Sequence, residues 1–120
     1  MGKLTHHEHN TGELDRALAR IRDDFIQRLK TQVIQLRAIQ ERMPSNVDVD
    51  DLKLIEFLAH QICGLARTLG YPALGDASQR LELAVNLQIS HVGAPVDADI
   101  PVLLDSLMWE MDTASAPTGV

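Results

Sequence analysis

Cysteine, aromatic rings, positive charge and long apolar runs are all scarce in this sequence, and each scarcity excludes something. The one cysteine, Cys63, has no partner for an internal disulfide, which points to a reducing compartment. Phe25, Phe57, Tyr71 and Trp109 are the only aromatic residues, so leucine, isoleucine and alanine must fill the core. That composition suits helices packed on helices. No stretch reaches the roughly 18 apolar residues of a membrane span, and no charged-then-apolar leader opens the chain. Histidine at position 6 breaks the myristoylation pattern that Met1-Gly2 begins. A cytoplasmic protein is expected. With 11 basic against 17 acidic side chains the formal charge is −6, which argues against nucleic acid or a membrane surface as partner.

No segment alternates apolar and polar residues as a half-buried strand would, and no repeat is visible. What is present is helical spacing. The 120 residues suffice for one domain around one core. Leu14, Leu18, Ile21, Phe25, Leu29, Val33, Leu36 and Ile39 recur by threes and fours. They predict a long helix over 13–43, capped by Asn10 and Glu13 and stopped by Pro44. At about 45 Å it outruns its neighbours, so one end should overhang or bend. Ser45 to Asp50 offers several N-caps for a second helix reaching about Leu69, built on Leu52, Ile55, Ala59, Ile62, Ala66 and Leu69. Gly70 stops it and Pro72 follows.

A third helix, from Pro72 or Leu74 to Val92, carries Leu74, Ala77, Leu81, Ala84 or Val85, and Gln88 or Ile89. After Gly93-Ala94-Pro95, Asp97 or Asp99 caps a fourth, with Ile100, Leu103, Leu104, Leu107, Met108 and Met111 on one side. Pro101 falls in its tolerant first turn. Residues 1–10 and 114–120 lack periodicity and are expected as flexible tails around a bundle of 11–113. Short connections make successive helices antiparallel, which predicts an all-α, up-down four-helix bundle.

One face of the second helix is unusual. At about 100° per residue His60 lies off the Ile55/Ala59/Ile62/Ala66 stripe, on a face with Lys53, Glu56, Phe57, Gly64 and Arg67. An exposed histidine alone means little. Gly64 adds weight, because glycine in mid-helix costs about 1 kcal/mol relative to alanine. Helical side chains lean toward the N-terminus, so an absent side chain at 64 uncovers the imidazole at 60. The plainer reading is that Gly64 lets another helix approach closely. An open imidazole with Arg67 and Lys53 nearby suits phosphoryl transfer, in which a neutral ring nitrogen attacks in line. A partner can supply the metal and acidic residues.

The run Ala59-His60-Gln61-Ile62-Cys63-Gly64-Leu65-Ala66-Arg67-Thr68-Leu69-Gly70 resembles the phosphorylation motif of histidine phosphotransfer domains, and Leu74, Ser78, Leu81 and Glu82 continue the pattern. The resemblance covers about 50–92 by motif and the rest by helix pattern. It implies that Nε2 of His60 takes a phosphoryl group from a receiver-domain aspartate and passes it to another. It further implies a response-regulator receiver and a hybrid or other sensor histidine kinase as partners. Mg²⁺ would then sit on the receiver, with no cofactor on this chain. The protein would be a freestanding, monomeric carrier rather than an enzyme. Gly64, Cys63, Arg67 and Lys53 would form the phosphate's surroundings, with Phe57, Gln61 and Thr68 meeting the partner. Cys63 departs from the family, which often has lysine there, and Arg67 could replace that charge one turn on.

The rival reading is a docking module that carries no phosphate. His6, His7 and His9 are read as a solvated tail rather than a metal site, and no metal site is expected. Glu56 and His60, at i and i+4, could be two metal ligands or an acid–base pair, but no second such pair is present as a di-metal bundle would require. Cys63 is most simply a small filler, and the charges from Arg16 to Arg28 a solvated face. Phe57 stands apart, because an exposed ring beside His60 is costly unless a partner covers it.

Overall fold

The computed structural model describes the backbone of residues 2–91 and 93–117, and the side chains of those from Gly12 onward. Four helices account for nearly all of it: α1 (Gly2–Glu41), α2 (Val49–Thr68), α3 (Pro72–Ser90) and α4 (Asp99–Ser115). No strand occurs among the described residues. Each helix packs against the next and α1 against α4, which closes an up-down four-helix bundle.

The core is aliphatic, as the shortage of rings requires. Leu29, Leu36, Ile55, Ile62, Leu74, Leu81, Ile100, Leu104 and Leu107 are sealed from solvent, with Met111 and Val85 among them. Each expected stripe of α2 and α4 is buried, Leu103 only in part. On α3 the choice between Ala84 and Val85 falls to Val85, and Ala77 and Ile89 pack at the rim. Ser78 is the one buried polar residue among those described. Its hydroxyl donates to the Gly75 carbonyl at 2.9 Å, so no polar atom is left unpaired there.

The helix α1 departs from expectation at its start. It runs from Gly2, so Asn10 and Glu13 do not cap it. No proline interrupts residues 2–12, and extending a helix already nucleated in the bundle costs little per residue. Its apolar stripe is buried only from Phe25 onward. Leu14 and Ile21 are 60% and 46% exposed, because the turn between α2 and α3 ends the bundle near Phe25 and the helix overhangs beyond it. The helix is thus some 60 Å long, and it sets the 67 Å length of the molecule. The tails expected over 1–10 and 114–120 lie in part outside the described residues, as do the side chains of His6, His7 and His9. What is described of them is helix up to Ser115 at the far end.

Side chains fix the ends of α2. Asp48 and Asp51 form a reciprocal capping box, and Arg42 grips the Asp51 carboxylate with both terminal nitrogens at 2.6 and 2.9 Å. That hydrogen bond to Arg42 is the main reason the Asp51 carboxyl is held below its usual range. At the other end Gly70 takes φ +92°, and the Tyr71 N–H reaches back to the Ala66 carbonyl at 2.8 Å. Tyr71 then lies against Phe25, ring centres 6.0 Å apart. Arg22 of α1, expected on a solvated face, donates to the Leu69 carbonyl at 3.3 Å, where α2 ends. For α4, Asp97 makes the cap-like contact, accepting from the Asp99 N–H at 2.9 Å.

Candidate functional site

The turn at Gly70–Tyr71 folds α3 back along α2, and residues equally far from Tyr71 on either side face one another. Asn86 therefore meets Glu56 and Glu82 meets His60, while Arg67 crosses its own opposite number, Gly75, to reach Asp76. His60 projects outward with its side chain 76% exposed, while the neighbouring Ala59 is sealed in the core. Its Nδ1 lies 3.0 and 3.1 Å from the two carboxylate oxygens of Glu82. With Glu82 ionised, Nδ1 carries the hydrogen and donates it, which leaves the lone pair on Nε2. The hydrogen bond to Glu82, then the charge of Glu82, raises the histidine pKa above its ordinary value, and the charge of Glu56 adds to the effect. Glu82 is the more enclosed partner, at 25% exposure, so the carboxylate rather than the ring is the fixed member.

Space surrounds the ring on the side of α2 that faces solvent. Nothing lies within 4 Å of where a Cβ on Gly64 would stand. No neighbouring helix needs the glycine for close approach, so that reading of Gly64 falls away and the open space remains. Phe57, one turn earlier, is 57% exposed, and with Glu56, His60, Glu82 and Asn86 it lines a shallow open cleft.

A family model described as Hpt domain matches residues 13–113. The chain belongs to the histidine phosphotransfer (Hpt) domain family. No curated protein and no solved structure matches it. Hpt domains act as phosphoryl carriers in phosphorelays, alongside receiver domains and histidine kinases. Among the described residues no helix is long and apolar enough to cross a membrane, and no three His, Cys, Asp or Glu side chains cluster as metal ligands would.

The other residues singled out in the Hpt motif sort by where the helices aim them. Gln61 and Thr68 are exposed on α2, Gln61 beside Phe25, Arg28 and Gln32 of α1. Thr68 turns its hydroxyl to the Gly64 carbonyl at 3.4 Å. Lys53 is exposed two turns before His60, and Cys63 is half-buried. Arg67 does not point at His60. Its Nη2 donates to Asp76 at 2.9 Å and to Gln79 at 2.6 Å, both on α3. Glu56 bonds Asn86 at 2.8 Å and is no acid–base partner of the ring.

Glu82 is the residue that reasoning from one helix misses. It was visible only as part of a motif on the following helix. Folding the sequence about Gly70–Tyr71 would have placed it opposite His60. Asn86 is found opposite Glu56 by the same operation, whereas Asp76 and Gln79 are not, because Arg67 reaches past its opposite number Gly75 to bond them.

Proposed function

We propose that this protein carries a phosphoryl group on Nε2 of His60 between receiver-domain aspartates in a cytoplasmic multistep phosphorelay, fed by a hybrid or other sensor histidine kinase. The observation that carries the reading is the pairing of an open Nε2 with an Nδ1 anchored by Glu82. Nε2 attacks the phosphorus of an aspartyl phosphate in line; the new P–N bond forms as the P–O bond to the aspartate breaks, and the carboxylate leaves with its electron pair. The metal that this transfer needs, Mg²⁺, belongs to the receiver in this proposal, and phosphoryl transfer asks the carrier mainly for position.

Gly64, Cys63, Arg67 and Lys53 form the phosphate's surroundings in this reading, and Phe57 with Gln61 and Thr68 forms the partner's footing. The test is incubation with phosphorylated receiver domains, followed by mapping of acid-labile, base-stable label. Label on His60, absent from His60→Gln at unchanged helicity, is the expected result. Receiver binding without any label would favour a docking module instead, and label on another residue would overturn the assignment.

A further inference from the structure

Arg67 sits where its charge is of little use to His60, and the packing around it explains why. Its stem crosses α3 over Gly75, where an added Cβ would come within 2.7 Å of the Arg67 Cγ. Gly75 is buried beneath that crossing, so the glycine makes a notch in which the arginine lies. The guanidinium then bonds Asp76 and Gln79.

We propose that Arg67 is a movable ligand for the phosphoryl group on His60, parked on Asp76 and Gln79 while His60 is unmodified. The proposal rests on the phosphohistidine reading. Three observations support it. The parking contacts are weak: Arg67 and Asp76 are 47% and 60% exposed, and ion pairs so open to water contribute little. The competitor is stronger, since a phosphoryl group offers three acceptor oxygens and more negative charge than one carboxylate, in the geometry a guanidinium fork matches. And the route is clear. Arg67 lies two turns after His60, about 10.5 Å of rise along α2, and helical side chains lean back in that direction. The position between them on this face is Gly64, with empty space where a side chain would stand. Gly64 thus opens both the ring and the path to it.

The consequence is a cation that the phosphoryl group recruits, in a chain whose position 63 holds cysteine. The inference is tested without any receiver. Phosphoramidate serves as donor: Nε2 attacks its phosphorus, the P–Nε2 bond forms, and ammonia leaves. The half-life of the label then reports hydrolysis, in which water takes the phosphorus and the P–Nε2 pair returns to the ring.

Arg67→Ala is expected to shorten that half-life by about threefold or more, and Arg67→Lys to fall between it and wild type. Asp76→Asn, a surface change that loosens the parking, should lengthen it about twofold. Gly75→Ala displaces the Arg67 stem and should do the same if it folds; Asp76→Asn decides the matter if it does not. The ¹⁵N resonance of Arg67 Nε should shift on phosphorylation of the wild type. Equal half-lives for wild type and Arg67→Ala, an unmoved Arg67 resonance, or no gain in Asp76→Asn would overturn the movable ligand alone. Failure of His60 to accept any label would overturn the carrier reading as well.

Discussion

Glu82 of α3 places both of its carboxylate oxygens within 3.1 Å of Nδ1 of His60 on α2, and nothing else described bonds that ring. The relationship orients the imidazole, selects the tautomer with its lone pair on Nε2, and raises the pKa. Because His60 gains a partner when protonated, the pair's contribution to stability is present at pH below the unfolded histidine value. It is lost as pH rises through the raised folded one. Nucleophilicity has the opposite sign, since only the neutral ring attacks.

Glu82→Gln should therefore slow phosphoryl acceptance by about tenfold or more on the alkaline plateau, where the ring is neutral in both proteins and only its positioning differs, and by less on the acid side. It should also move the midpoint of the pH–rate profile toward acid. Rates with phosphoramidate across the profile, with the His60 Cε1–H titration as a check, measure both. An unmoved midpoint would show that Glu82 neither holds nor charges the ring in solution.

Gly64→Gln separates access from stability. Glutamine is the better helix former by up to about 1 kcal/mol, and its Cβ meets nothing. Thermal unfolding should be at or above wild type while phosphoryl acceptance falls steeply, since the new side chain leans over His60. Transfer at the wild-type rate would refute the steric role of this position.

Phe57 is outside the core, and its truncation should read as a binding defect. Surface changes of this kind usually shift stability by less than about 0.5 kcal/mol, whereas an aromatic anchor at the centre of an interface is worth about 2 kcal/mol or more. Phe57→Ala is thus expected to weaken receiver binding at least about tenfold with little change in melting. Calorimetric titration with a receiver domain gives the first quantity and circular dichroism the second.

The two halves of the α1 stripe should respond differently to the same substitution. Leu29 is sealed from solvent, and Leu29→Ala should cost about 2–5 kcal/mol. Leu14, chemically identical and at matching spacing, is on the overhang, and Leu14→Ala should stay within about 0.5 kcal/mol of wild type. Paired denaturant titrations would reveal any cover over the overhang as a larger loss at Leu14.

That contrast also marks how far the sequence could be read. The period of apolar residues gave the four helices, and it gave every buried position on α2, except Leu58, because there the whole stripe faces a partner helix. It could not say where α1 leaves the bundle, since Leu14 and Leu29 look alike until the α2–α3 turn fixes the end of the core. His60, Gly64 and Phe57 were legible because their oddness is local: a glycine without a turn, a ring off the stripe. Arg67 and Glu82 were not, since what each does depends on the helix it faces. The sequence places Arg67 near His60 without showing that it bonds Asp76 while the ring is unmodified, and it offers Glu82 as part of a motif without showing that it bonds the ring.

The anchored Nδ1 has a final consequence. If Nε2 takes the phosphoryl group as proposed, the hydrogen on Nδ1 can stay where it is, with the ring's positive charge set against Glu82. When the group departs, the leaving imidazole already has its hydrogen in place. Neither arrival nor departure obliges the site to find a proton or to dispose of one. A residue pair built in this way runs equally well as acceptor and as donor, so the direction of flow is left to the relative phosphorylation of whatever docks on it.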